Sequence, residues 1–550
     1  MKTRLNGATI GALAMCALAL GAAPSPVLGA ARTFVVNKTS DAADRHPGDG
    51  KCDSSTKSGL QCTLRAAIQE ANAHTGADTI NFKISTASKV IAPTSPLPPI
   101  TQTVTIDGYS QPGTSANTKA TGDNAVLKIV LDGVNAGTLA IGLQVEASNS
   151  VIRGLVIQRF SLSAIQVDGP SATIRGNFLG TDRVGAIARP NQNGLKIDGS
   201  NAVVGGTTPA ARNVISGNTN SGVVAENCDG TTIQGNYIGT NAAGTSVLGN
   251  GESGVFVGLF FGSANGTVIG GTTAAARNVI AGSVRAGITL NGQGTQHTLV
   301  EGNFVGLSAD GATDLGNPGS GVEVNGDDNT IGGSTGGSGN AIVASHIGGV
   351  VLRGKGNDVE ANLIRSNIGQ GVVAPDGPNT IAGNLILAND EGIRVESAAA
   401  GVTITRNEIF ANDGLGINLR SGMENHDVTA NDSCDADTGP NGLQNYPVLT
   451  SATDSAQTHI TTVSGSLDSL LGTQFQIELF LATSDDSGHG EGQVLLTTTS
   501  IATPANSCTK SFQIPALNVS PGQVLTATAT NTATGDTSEF SANIAVVAGP

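Results

Sequence analysis

Tryptophan is absent, tyrosine occurs three times, and only 13% of the 550 residues are charged. Sugar rings and nucleobases are commonly held on aromatic faces, so this shortage counts against both classes of ligand. No basic cluster occurs, and a net charge of −15 repels nucleic acid and any polyanion that no cation bridges. Beyond the first 30 residues no run reaches the roughly 18 to 20 apolar residues of a membrane span. Histidine pairs at metal-binding spacing and Cys-x-x-Cys pairs are also missing. Gly332-Gly333-Ser334-Thr335-Gly336 spells a nucleophile elbow and Gly249-Asn250-Gly251-Glu252-Ser253-Gly254 a dinucleotide loop. Neither stands between a strand pattern and a helix pattern, which excludes both as working motifs.

What is present begins with a three-part N-terminus: Lys2 and Arg4, an apolar run from Ala8 to Ala23, then small residues from Val27 to Ala31. This is the layout of a secretory signal peptide over residues 1–30, with cleavage near Gly29 to Ala31. It predicts a secreted protein, extracellular or at the cell surface, with the periplasm also open. Cys16 falls inside the discarded run. Cys52 and Cys62, close together in a Gly/Asp-rich segment, are expected to pair in an oxidising compartment. Cys434 with Cys508 is a second candidate pair, which leaves Cys228 as a lone buried thiol.

A pattern of glycine, apolar, any, apolar returns from residue 142 almost to residue 420. It starts at Gly142, Ala164, Gly194, Gly222, Gly254, Gly287, Gly321, Gly349, Gly371, Gly392 and Gly416, at intervals of 21 to 34 residues. Between these lie an Asn followed by apolar residues, as at Asn177-Phe178, Asn303-Phe304 and Asn384-Leu385, and a third strand signal, as at Thr231-Thr232-Ile233 and Thr403-Ile404. Three short strands per repeat without helical periodicity predict a coil that stacks on its neighbours, an all-β right-handed parallel β-helix over residues 78–425. Val, Ile and Leu turn inward with period two, Gly suits tight corners, and Asn accepts left-handed backbone while its amides stack as a ladder. Extra residues at Gly180–Asn193, Gly239–Ser253 and Gly306–Ser320 predict three loops projecting from one flank.

Cys62-Thr63-Leu64-Arg65-Ala66-Ala67-Ile68-Gln69-Glu70-Ala71-Asn72 resembles the CSLREA domain that opens many secreted bacterial β-helix proteins, with Ala66 in place of that motif's Glu. Leu97-Pro98-Pro99-Ile100-Thr101, Val104 to Gly108, Gln111-Pro112-Gly113 and the blocks Val203–Asn218 and Val268–Ser283 continue the resemblance over most of the chain. It implies the fold and secretion but carries no settled activity. Read from the residues alone, Leu64, Ala67, Ile68 and Ala71 lie on one face of a short helix, so residues 31–77 form an N-terminal helical cap over the first coil's strand edge. Arg65 and Glu70 are read there as surface or capping contacts. Residues 426–445, rich in Asp and Asn, form a hinge, and the alternating strands of 446–550 predict an immunoglobulin-like β-sandwich.

Residues at equal offsets from the rung glycine must stack along the helix at about 4.8 Å. Four positions on, successive rungs present Glu146, Asp168, Asp198 and Glu226. Directly opposed like charges destabilise a sheet, so either solvent and Lys196 screen this stripe or a cation such as Ca²⁺ binds it. Asp168 and Asp198 are also the acid–base candidates, and in the hinge Asp435 and Asp437, with neighbouring Asn431 and Asp432, are candidate Ca²⁺ ligands, although Asx-turns account for the same spacing. Phe256, Leu259, Phe260 and Phe261, with Val224, Val351 and Val373, suggest an exposed apolar patch for a partner. The favoured expectation is a non-catalytic, secreted or surface-associated protein for adhesion or glycan binding, meeting an extracellular polysaccharide or a surface protein and no nucleic acid. The alternatives are a polysaccharide lyase or glycoside hydrolase, and a purely structural envelope or matrix component. No Asn-Thr-Asp, Gly-His-Gly or Arg-Ile-Lys block of the polygalacturonase kind is found.

Overall fold

Two-residue periodicity within strands of two to five residues leaves each segment too short to stand alone, so stability must come from stacking. The computed structural model describes residues 29–258, 264–396, 399–420, 427–458, 460–483, 487–516 and 519–549; the signal segment, apart from its last two residues, lies outside them. The repeats coil into a right-handed parallel β-helix with three sheets, of thirteen, twelve and eleven strands among the described residues, here called A, B and C. The eleven strands of sheet C, from Leu143–Val145 to Ile417–Arg420, follow the eleven rung signals one for one. Inward columns such as Ile152, Ile174, Val204, Ile233, Ile269 and Val300 are fully buried. Each aliphatic so buried contributes roughly 1.5–3 kcal/mol relative to exposure.

The rung glycines serve a different purpose from the one expected. Their φ angles are not positive; instead a Cβ at Gly287 would sit 2.8 Å from the carbonyl oxygen of Gly321, and one at Gly321 would sit 2.5 Å from that of Gly349. Close approach between neighbouring rungs, not corner geometry, demands them. The ladder asparagines do stack: Asn177, Asn213, Asn236, Asn278, Asn303, Asn340, Asn362, Asn384 and Asn407 pass side-chain hydrogen bonds from rung to rung. Left-handed backbone falls on the residue before them, as at Gly176, Gly235, Gly302, Ala361 and Arg406. A second ladder, Asn367, Asn389 and Asn412, lines the corner between sheets B and C.

The coil begins before residue 78, because Thr33–Val36 pairs in parallel with Asp78–Phe82 as the first strand of sheet A. The helix Leu64–Asn72, N-capped by the Thr63 hydroxyl, lays Leu64, Ala67, Ile68 and Ala71 on this end. Arg65 pairs with Asp41 at 2.8 Å. Glu70 is not a surface residue: it is fully buried and accepts hydrogen bonds from the Gly48 and Gly50 amides, which fixes the preceding loop. Cys52 and Cys62 form a disulfide with Cα atoms 5.0 Å apart.

At the other end Thr509–Ala516, Thr461–Asp468 and Val448–Asp454 face Gly492–Ala502, Gln474–Ala482 and Val524–Asn531 across a core that includes Phe475, Ile477, Leu479 and Ile514. The last strand is shared, Ile544–Ala545 pairing antiparallel with one sheet and Val547–Ala548 running parallel in the other, an immunoglobulin-like arrangement. This sandwich closes the coil with carboxylates. The open strand edge presents unpaired amides, and Glu478 accepts from the Arg406 amide, Glu491 from Asn412, Asp536 from Gly401 and Glu539 from Leu419. Glu491 also accepts from the Asn412 side chain, so it ends the second asparagine ladder. Cys434 and Cys508 form a disulfide that ties the hinge to the sandwich, and Cys228 is buried, its thiol pushed up to about 11 by desolvation. No helix among the described residues is long and apolar enough to cross a membrane.

Candidate functional site

Sheet C turns alternate side chains outward, and its register aligns Gln144, Gln166, Lys196, Val224, Phe256, Thr289 and Glu323 in one row. The carboxylate stripe runs beside this row. A groove of about 450 Å³ opens over it, bounded on the loop side by Gln192, Asn220, Glu252 and Arg285. The three expected loops carry short hairpin bridges, Thr181 to Ala188, Thr240 to Val247 and Leu307 to Asp314. They stack through Ala242 N–H to Gly185 C=O and Ala309 N–H to Gly244 C=O.

Every stripe carboxylate has a partner within the protein. Asp168 accepts from the Gln144 and Gln166 amides, both at 2.8 Å, and Gln144 also reaches Glu146 at 3.3 Å. The Lys196 ammonium lies between Asp198 at 3.3 Å and Glu226 at 3.5 Å. Burial raises the pKa of Asp198 and of Glu226, and the lysine offsets only part of that rise. For Lys196 burial acts downward, yet the two carboxylates outweigh it and hold its pKa above the usual range. Further along, Arg285 pairs with Glu323 at 3.2 Å, and its guanidinium lies 5.9 Å from the centre of the Phe256 ring.

Phe256 is half-buried in the groove floor, between the Lys196 and Arg285 ion pairs. The wider apolar patch does not form as an exposed surface: Val224, Val351 and Val373 are 9%, 2% and 7% exposed, because side chains of adjoining rungs close over them. Leu259, Phe260 and Phe261 lie outside the described residues. The groove therefore offers one aromatic face, amide and carboxylate acceptors, and two cations already neutralised. Such a floor suits hydroxyl groups and apolar ring faces better than dense charge.

The hinge brings Asp432, Asp435 and Asp437 together, with carboxylate oxygens within 4.8 Å of one another. Asp435 accepts from the Asn445 amide and the Ser469 hydroxyl, and burial, reinforced by Asp437 and Asp432, pushes its pKa up to about 6. Asp437 Oδ1 is buried and meets no hydrogen-bond partner among the described residues. Asp432, read in the sequence as a neighbour of Asp435 and Asp437, reaches them through the turn, in which its carboxylate accepts from the Ala436 amide.

The fold and these surfaces define a class, a parallel β-helix protein closed by a helical cap and an immunoglobulin-like sandwich. Residues 271–435 match the family model described as periplasmic copper-binding protein (NosD), which spans less than half of the chain. No curated protein matches. Among solved structures the chain is similar to the Azotobacter vinelandii mannuronan C-5 epimerase AlgE6 A-module, with 15% identity, TM-score 0.41, and 68% of this chain and 96% of that one covered. It is also similar to pectate lyase Pel9A, with 12% identity, TM-score 0.24 and coverage of 72% and 74%. A tailspike protein of E. coli bacteriophage HK620 in complex with pentasaccharide matches with 8% identity, TM-score 0.26 and coverage of 80% and 82%.

Copper does not fit the described residues of the matched segment. Copper sites draw on imidazole, thiolate and thioether donors. His297 and His346 are exposed on separate corners, Cys434 is held in its disulfide, and the cluster to which the segment contributes Asp432 and Asp435, completed by Asp437 just beyond it, is all carboxylate. Hard oxygen donors of that kind suit Ca²⁺ or Mg²⁺.

Proposed function

We propose that this protein works outside the cytoplasm as a non-catalytic glycan-binding scaffold, receiving an extended polysaccharide along the outer face of sheet C. The groove over Phe256 carries the reading, since one ring face lies there among hydroxyl-binding amides and carboxylates on a rigid parallel sheet. Rungs repeat at about 4.8 Å, close to the scale of a sugar residue, so neighbouring rungs can contact neighbouring sugars. A binding role is favoured over turnover because Asp168 is held by two glutamine amides and Asp198 by Lys196, so neither is poised as a free acid or base. Two disulfides fit an oxidising compartment.

The test is retention of the protein on a panel of immobilised neutral and uronic-acid polysaccharides, with mass spectrometry of the supernatant for released oligosaccharides. Saturable retention that Phe256→Ala lowers at least tenfold supports the proposal. Time-dependent products that Asp168→Asn/Asp198→Asn abolishes would make this an enzyme, and absence of retention on every polysaccharide would overturn glycan binding altogether.

A second reading rests on Asp437, whose buried Oδ1 meets no partner among the described residues and converges with the Asp432 and Asp435 carboxylates: the hinge holds Ca²⁺ through Asp432, Asp435 and Asp437. Equilibrium dialysis with ⁴⁵Ca checks it. Binding lost in Asp435→Asn/Asp437→Asn and kept in Asp168→Asn/Asp198→Asn assigns the ion to the hinge, and the reverse pattern assigns it to the stripe with Glu146 and Glu226.

A further inference from the structure

Two rungs of the coil are near copies of each other. Gly205-Gly206-Thr207-Thr208-Pro209-Ala210-Ala211-Arg212-Asn213-Val214 returns as Gly270-Gly271-Thr272-Thr273-Ala274-Ala275-Ala276-Arg277-Asn278-Val279. A third, degenerate copy has Gly339 where the arginine would stand. In both full copies the arginine lies over an aromatic ring one rung further on, Arg212 over Tyr237 at 4.3 Å and Arg277 over Phe304 at 3.9 Å. In both, its Nε donates to the glycine carbonyl before the ladder asparagine, Gly235 at 3.3 Å and Gly302 at 2.9 Å. The two guanidinium groups therefore hold equivalent positions.

They differ in what covers them. The terminal nitrogens of Arg212 donate to the carbonyls of Lys119, Ala120 and Gly122, a small-residue turn inserted earlier in the chain. That turn is clasped further by the Gly122 amide donating to the Tyr237 hydroxyl and the Asp123 amide donating to the Ala242 carbonyl. It also braces itself, because Asn117 Oδ1 accepts from the Lys119 and Asn124 amides. Arg277 has no such cover: its terminal nitrogens meet no acceptor among the described residues, and no nearby charge offsets the burial that lowers its pKa. Beside it opens a cleft of about 310 Å³, bounded by Thr121, Thr207, Arg212, Tyr237, Arg277 and Ala309. Ala309 stands there where Ala242 stands in the first copy, each donating its amide to the loop before it.

We infer that the cleft beside Arg277, whose guanidinium lies over the Phe304 ring, docks a small-residue peptide turn of a partner protein, whose backbone carbonyls take the places that Lys119, Ala120 and Gly122 take on Arg212. The molecule thus carries both the socket and an example of what fits it. The occupant need not bring an amide donor for the ring, since Phe304 lacks the hydroxyl that Tyr237 offers to Gly122. The inference is independent of glycan binding, because this cleft lies on the side of sheet B and the groove lies on sheet C.

The probe is a fluorescein-labelled, end-blocked peptide copying residues Asn117–Asn124, titrated with the full mature chain and read by anisotropy. A weak affinity is expected, about millimolar, since a few hydrogen bonds and one stacking contact must offset the loss of motional freedom. Arg277→Gln should weaken it at least tenfold. Phe304→Tyr, which restores the hydroxyl, should tighten it severalfold. Absence of saturable binding at millimolar peptide, or equal binding by Arg277→Gln, overturns the inference. So does saturable, Arg277-dependent binding of galacturonate without binding of the peptide, which would make the cleft a carboxylate site. If Arg277→Gln does not fold, Phe304→Tyr decides: tighter binding supports the inference and unchanged binding overturns it.

Discussion

Replacing Asn303 by alanine should open the coil locally by a calculable amount. Asn303 is fully buried, and its side chain makes four hydrogen bonds. Nδ2 donates to the Ile269 carbonyl at 2.8 Å and to Asn340 Oδ1 at 3.0 Å, while Oδ1 accepts from the Asn278 amide at 3.3 Å and from Asn278 Nδ2 at 3.0 Å. Three of the four partners survive: Asn340 Oδ1 keeps the Asn303 amide, Asn278 Nδ2 keeps the Ile233 carbonyl, and the Ile269 carbonyl stays in the sheet A ladder, where Gly270 pairs with Glu301. The Asn278 amide loses its partner and is left buried. That orphan costs about 1–3 kcal/mol, and the lost side-chain bonds add about 1 kcal/mol, for a total of about 3 kcal/mol. In a solenoid that cost stays with the rung and its neighbours. Amide hydrogen exchange should therefore speed up by about 10² at Asn278, Ile280 and Val305, with the rungs of Ile152 and Ile174 unchanged. A loss below about 1 kcal/mol, or one spread evenly over the coil, would refute the account of the ladder as a chain of buried obligations.

Burial pushes the carboxyl of Glu539 up to about 7, against the pull of the Leu419 and Thr429 amides that it accepts from. A folded pKa above the unfolded one means that this stability is fully present below about pH 4.5 and is lost as pH rises through about 7, by about 3 kcal/mol. Thermal unfolding followed between pH 5 and 8 should show the junction weakening with pH, and Glu539→Gln should flatten that slope. Lys196→Met leaves Asp198 facing Glu226 without a cation, so glycan retention should fall and the stripe should take up more ⁴⁵Ca than it does in the wild type. Cys52→Ser/Cys62→Ser removes a cross-link over a short loop and should cost about 3 kcal/mol, read as exposure of the loop between them to protease before the rungs of sheet C open.

The periodic part of this protein was legible in its sequence because each rung repeats the same local demands. An inward apolar pair, a glycine under the next rung's carbonyl and a buried asparagine recur at Gly254, Gly287 and Gly321 with little influence from distant residues. The equal offsets of Glu146, Asp168, Asp198 and Glu226 followed from that period, as did the flank carrying the three loops. What neutralises those carboxylates was not legible. Whether Lys196 or an ion lies between Asp198 and Glu226 depends on side-chain reach across two strands, and the burial of Val224, Val351 and Val373 depends on neighbours in adjoining rungs. The non-repeating contacts belonged wholly to the tertiary structure. Glu70, Glu478, Glu491 and Glu539 look like surface charges in the chain, yet each is buried against amides that its own segment does not contain. Likewise Arg212 and Arg277 are the same residue in the same motif, yet residues 119–122 fold onto Arg212 and no such segment covers Arg277 among the described residues. A period fixes what each residue meets in the next rung; what arrives from elsewhere in the chain is decided when the chain closes on itself.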